Sequence, residues 1–181
     1  MTSGLEDLRV LRAAEEVADE IWQQVITWGH FERDTLGNQL VRAVDSIGAN
    51  IAESFGRYSF GEKLQFLYYA RGSLFETKYW LNRALKRGLQ TDAQHVALAS
   101  RISGIAQQIN AFAKSLKTQR TKSVGYKTTA ARESASAYSV DPLDAASFDG
   151  EIVDATDLAW MSNPNAVDRN LPSPISNLQS L

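Results

Sequence analysis

Cysteine is absent from the 181 residues, and proline appears only four times. Without thiols, disulfides and thiolate metal sites are excluded. The two histidines, His30 and His95, lie far apart in the chain. No Glu-x-x-His pair of the kind that di-iron helix bundles use is present, and the nearest spacing, Asp92-Ala-Gln-His95, falls in a helix cap. His95 is therefore expected as a surface or capping residue, and His30 as part of a turn. Neither a Gly-x-x-x-x-Gly-Lys phosphate loop nor a Gly-x-Ser-x-Gly elbow occurs. These absences point away from an enzyme and call for no cofactor or metal. No apolar run is long enough to span a bilayer, and the start lacks the basic and apolar stretches of a secretion signal. A cytoplasmic location without membrane contact is the expectation.

What is present is helical periodicity. Leu8, Leu11, Ala18, Ile21, Val25 and Trp28 share one helical face, with Glu15, Glu16, Asp19 and Glu20 on much of the rest. Gly29 ends this first helix, and Phe31 to Thr35 reads as a short polar connection. Leu36, Leu40, Val44, Ile47, Ile51 and Phe55 then define a second. Ser59-Phe-Gly-Glu62 fits a capping box that starts a third helix near Phe60, and Gly88 provides its left-handed stop after Arg87. Thr91-Asp-Ala-Gln94 is a second capping box, followed by Leu98, Ile102, Ile105, Ile109, Phe112 and Leu116 at steps of four and three. Helices of roughly 35–42 Å joined by short connections predict an all-α, antiparallel up-down-up-down four-helix bundle over residues 1–120.

Residues 121–181 form the second region, a low-complexity acidic tail expected to be largely disordered. Only Asp154 to Trp160 within it suggests a brief helical turn.

The third helix carries two apolar bands. Leu64, Leu67, Leu74, Leu81 and Leu85 form the core face, while Phe66, Tyr69, Trp80 and Ala84 form a second, well away on the helical wheel. The second band either covers the flank of the bundle or makes a subunit interface; the width of the apolar surface favours the interface, with Phe66, Tyr69 and Trp80 as its candidates.

Charge is unevenly spread. Residues 1–34 hold three basic and eight acidic side chains, 84–127 hold eight basic against Asp92 alone, and 128–181 hold two basic against eight acidic. Arg83, Lys86 and Arg87 end the third helix, and Arg101, Lys114, Lys117, Arg120 and Lys122 belong to the fourth and its exit. These are the candidate nucleic-acid contacts, and the alternative is an ordinary solvated helix end favoured by the helix dipole.

On the second helix, Arg42, Ser46, Asn50, Glu53 and Arg57 stack along one face beside the apolar stripe. Arg71 and Lys78 fall in the core-facing sector of the third helix, where an unpaired charge is costly. Glu53 is the expected partner of Arg71.

The runs Gln39-Leu-Val-Arg42-Ala-Val-Asp-Ser46-Ile-Gly-Ala-Asn50-Ile-Ala-Glu53-Ser and Phe66-Leu-Tyr-Tyr-Ala-Arg71-Gly-Ser73-Leu-Phe-Glu76 resemble a bacterial four-helix-bundle family. It comprises proteins encoded in 23S rRNA intervening sequences and the accessory variability determinant of diversity-generating retroelements. The resemblance spans about Leu5–Lys117. It implies a homopentameric ring without catalysis, which in the retroelement branch binds reverse transcriptase and RNA or complementary DNA. It also makes Arg42, Ser46, Asn50, Glu53, Arg71, Ser73 and Glu76 signature positions, read here as a structural polar network. Gly48 and Ser54 depart from the pattern, standing where proline or another small residue and glycine are expected. The acidic tail has no counterpart in it.

Overall fold

The computed structural model describes residues 8–130, 152–153 and 155–162, with the backbone alone for 121–130 and 162. Every regular element among them is helical, as the periodicity requires. Helix α1 spans Arg9–Val25, a short α2 spans His30–Glu32, and a π-helical turn at Arg33–Gly37 leads into α3, Asn38–Gly56. Helix α4 covers Phe60–Lys86, α5 covers Asp92–Ala130 and α6 covers Ala155–Ser162.

Each of the four long helices has one apolar stripe, and the stripes close on one another. Helix α1 packs on α3 and α5, and α4 packs on the same two, so the helices follow one another around a single core. Ile21, Val44, Ile47, Ile51, Leu67, Leu74, Leu98, Ile102 and Ile109 are wholly buried there. Burial of an aliphatic side chain on this scale contributes about 1.5–3 kcal/mol. Ala84, assigned by sequence to the outer band of α4, is also wholly buried. Its small side chain occupies the crowded end of α4, where the chain turns into α5.

The turn chemistry matches its sequence signals. Ser59 Oγ accepts from the Glu62 N–H at 3.2 Å, and the Glu62 carboxylate accepts from the Ser59 hydroxyl at 2.8 Å and from the Ser59 N–H, which in that order hold the Glu62 carboxyl below its ordinary pKa. Gln94 reciprocates with Thr91 in the same way at the start of α5. Gly88 adopts φ 70°, and the Leu89 N–H reaches back to the Ala84 carbonyl at 3.0 Å, closing α4 with the left-handed turn that glycine permits.

Two expectations need correction. Phe31 to Thr35 is helical rather than a loose connection. Thr35 Oγ donates to the Phe31 carbonyl at 2.7 Å, and Gly37 lies so close to Val25 that an added Cβ would come within 2.6 Å of its Cγ1. Helix lengths are unmatched, at 17 residues for α1, 19 for α3, 27 for α4 and 39 for α5, because α5 continues well beyond its last core residue, Leu116.

The brief helical turn expected at Asp154 to Trp160 coincides with α6. Much of residues 121–181 lies outside the described set. Where the chain is described, Ile152, Val153 and Met161 are buried and α6 packs on α5. The few apolar residues of the tail are clustered enough to bury together despite the lack of periodicity around them.

Ile47→Ala is expected to destabilise the fold by about 2–5 kcal/mol in urea unfolding. Tyr58→Ala, at a fully exposed ring, should stay within about 0.5 kcal/mol of the parent.

Candidate nucleic-acid interface

The sequence pools its basic candidates into one surface, and the fold divides them. Arg83, Lys86 and Arg87 lie at the end of α4, one tight turn from the start of α5. Lys114, Lys117 and Arg120 lie about 33–42 Å further along α5 at 1.5 Å per residue. Lys86, Arg87 and Lys114 are exposed; Arg83, Lys117 and Arg120 are half-buried. The Arg83 guanidinium sits 5.9 Å from the Tyr79 ring centre. Lys122 lies outside the residues whose side chains are described.

Arg101 leaves the set. Its guanidinium forms ion pairs with Glu20 and, at 3.3 Å, with Glu16, tying α5 to the acidic face of α1. The acidic start of the chain thus neutralises part of the basic α5 within one molecule. Between α1 and α3 lies an acidic cleft of about 570 Å³ lined by Glu15, Asp19, Asp45, Gly48 and Ala52. Burial, then repulsion from Asp19, raises the Asp45 pKa. A cleft of this sign repels phosphate.

The polar stripe of α3 does not join α4 through Glu53 and Arg71. Glu53 pairs with Arg57 one turn on, and the Arg57 guanidinium lies 4.6 Å from the Phe66 ring centre. Asn50 donates to the Ser46 carbonyl at 2.7 Å, within its own helix, and Arg42 is exposed. On α4, Ser73 donates to the Tyr69 carbonyl at 3.1 Å, while Glu76 accepts from the Trp80 indole at 3.3 Å. Ser46, Asn50, Glu53, Ser73 and Glu76 thus make these contacts with residues four positions away along the chain. Polar links between α3 and α4 come from Ser54, one of the two departures from the family pattern, whose buried hydroxyl donates to the Lys63 carbonyl at 2.8 Å, and from Lys63 Nζ, which donates to the Phe55 carbonyl at 3.4 Å.

Arg71 turns to the tail. Its Nε and Nη2 donate to Asp157 at 3.1 and 2.6 Å, and its guanidinium lies 4.6 Å from the Phe75 ring centre. Trp160 stacks on the same ring, with centroids 5.2 Å apart and planes 13° from parallel. Asn110 on α5 completes the contact, donating to the Val153 carbonyl at 2.5 Å and accepting its N–H at 2.8 Å. Sequence reasoning missed Asp157, Trp160, Val153 and Asn110. The signal available was the group Ile152, Val153, Leu158, Trp160 and Met161, apolar residues gathered within an acidic stretch.

Of the outer apolar band, Tyr69 is half exposed and packs edge-on against Phe66 at 5.6 Å, while Phe66 and Trp80 are partly covered within the chain. Trp22 and Phe31 are more exposed than either and were not among the interface candidates.

His95 is wholly buried rather than superficial. Its Nε2 meets Asn82 Oδ1 at 2.8 Å, because the first turn of α5 faces the end of α4. An acceptor there places the ring proton on Nε2. Lys78, also wholly buried, has its pKa brought down to about 8 by desolvation. Desolvation, then the nearby Lys78 charge, lowers that of His95. Among the described residues no three His, Asp or Glu side chains converge as a metal set, and no helix is long and apolar enough to cross a membrane.

Among the described residues the chain is thus all-helical, with its tail contacts on α4 and α5. Residues 6–111, more than half of it, match the family described as 23S rRNA-intervening sequence protein, and the chain belongs to that family. A comparison with curated proteins finds no match.

Both buried bases hold fewer protons folded than unfolded wherever their lowered pKa values open a gap. Stability should therefore rise with pH from about 8 to 10.5 through Lys78, and fall as pH drops below about 6.5 through His95. Lys78→Met should flatten the first slope and His95→Gln the second, read by urea midpoints across pH.

Proposed function

We propose that this chain is a non-enzymatic accessory protein that assembles with copies of itself and binds nucleic acid through the outer surfaces of α4 and α5. It acts in the cytoplasm. The observation that carries the reading is the exposed set Lys86, Arg87 and Lys114 on helices whose opposite neighbour, α1, is acidic. Charge of one sign on one side attracts phosphates and releases their counterions. The family description, which refers to 23S rRNA intervening sequences, agrees with a setting in which RNA is at hand.

The helices form an antiparallel up-down-up-down four-helix bundle. This reading is supported by the Arg101 pairs, which join the early part of α5 to the later part of α1, and by the tight turns from α3 to α4 and from α4 to α5. By resemblance the assembly is a pentameric ring, with Tyr69 and its neighbours Phe66 and Trp80 facing the next copy. A reverse transcriptase with its RNA or complementary DNA is the partner in the retroelement branch, and the same role is proposed here.

A second reading is an oligomeric protein-binding scaffold without a nucleic-acid role. Exposed Trp22 and Phe31 favour it, since aromatic side chains are enriched at protein interfaces.

Single-stranded RNA should bind with an affinity that falls as salt rises, with a log–log slope near −0.7 per neutralised phosphate. Lys86→Gln with Arg87→Gln should make that slope shallower by about 1.4 without lowering the melting temperature. A slope indifferent to both changes, or no retention of RNA at low salt with the assembly intact by light scattering, would leave the scaffold reading.

A further inference from the structure

Three contacts hold residues 152–153 and 155–161 against α4 and α5, and each has the chemistry of nucleotide recognition. Arg71 presents two N–H donors to an anionic oxygen, the fork that suits phosphate as well as carboxylate. Phe75 offers a ring face on which a flat nitrogen heterocycle, the Trp160 indole, lies nearly parallel. Stacking of this kind is open to every base. Asn110 donates and accepts at once, as an amide does against the edge of a base. Lys114, exposed one turn further along α5, would extend the same face toward the next phosphate.

We propose that this face of α4 and α5 is a subsite for single-stranded nucleic acid, and that residues 152–153 and 155–161 cover it as an internal mimic. The Asp157 carboxylate stands in the place of a phosphate and the Trp160 indole in that of a base. The proposal rests on the nucleic-acid reading above and adds to it a site and its regulation. Being part of the same chain, the segment competes as an intramolecular ligand. Weak or isolated ligands are thereby excluded, while a strand already held by Lys114 and its neighbours can displace the segment. A protein partner carrying an acidic and aromatic peptide is the competing occupant; the nearly parallel stack and the adjacent lysine favour the strand.

The test uses the full chain and a fluorescein-labelled oligouridine of roughly a dozen nucleotides, followed by anisotropy at low salt. The Asp157→Asn/Trp160→Ala chain, with the mimic weakened, should bind about tenfold more tightly than the parent, the scale of one stacked base. Phe75→Leu in that background should cancel the gain and Phe75→Tyr should keep it. Both changes leave net charge unaltered, so they report stacking and not attraction, and circular dichroism verifies that each variant is folded. Equal, salt-sensitive binding by the parent and the weakened chain would overturn the subsite and leave the basic-surface reading standing. Absence of binding by either chain would overturn both. If the weakened chain captured a labelled peptide copying residues 152–162 and not the oligouridine, the face would belong to a protein partner and the proposal would fail.

Discussion

Four amphipathic helices, none able to bury its own stripe alone, share one apolar core, and the rest of the molecule is arranged around that sharing. Ile21, Ile47, Leu74 and Ile102, one from each long helix, lose all contact with solvent in the same cluster. Once those stripes face inward, the outward faces are fixed as well. The core also imposes costs: Lys78 and His95 lie on inward faces and are drawn into a medium that disfavours their charged forms. A buried base whose pKa is lowered detracts from stability at any pH where it would be protonated in water, so their retention in the core is not explained by stability alone.

Charge follows the same geometry. Because α1 lies against α5, Glu16 and Glu20 reach Arg101 and remove it from the surface available to a ligand. The acidic cleft between α1 and α3 gives that side of the molecule the opposite sign from the ends of α4 and α5. Exposed ion pairs are individually worth only about 0–1 kcal/mol, so this asymmetry bears more on which partners approach than on how firmly the helices hold.

Residues 152–153 and 155–161 pack against the long helices from outside their periodic pattern. Ile152, Val153 and Met161 add to the core from outside the four long helices, and Asp157, Trp160 and Val153 take up the polar and aromatic groups that α4 and α5 present there. The Arg71–Asp157 pair joins residues 86 positions apart. Arg71 is thereby held between a carboxylate and the face of Phe75, an arrangement that neutralises a cation for which the sequence alone offers Glu53.

Local chemistry was legible in the sequence wherever it depended on residues three to five positions apart. The apolar stripes, the capping boxes at Ser59 and Thr91 and the left-handed Gly88 were all readable from spacing, since backbone geometry and near neighbours decide them. The linked motifs from Gln39 and Phe66 also carried the family, which the match over residues 6–111 shows. Tertiary structure decided the partners: Arg71 with Asp157 rather than Glu53, Arg101 with α1, His95 with Asn82, and Ser54 with the backbone of Lys63. A charged side chain can meet any opposite charge that folding brings near. Which one arrives depends on how whole helices stack, and periodicity along one chain does not encode the rotation of one helix against another.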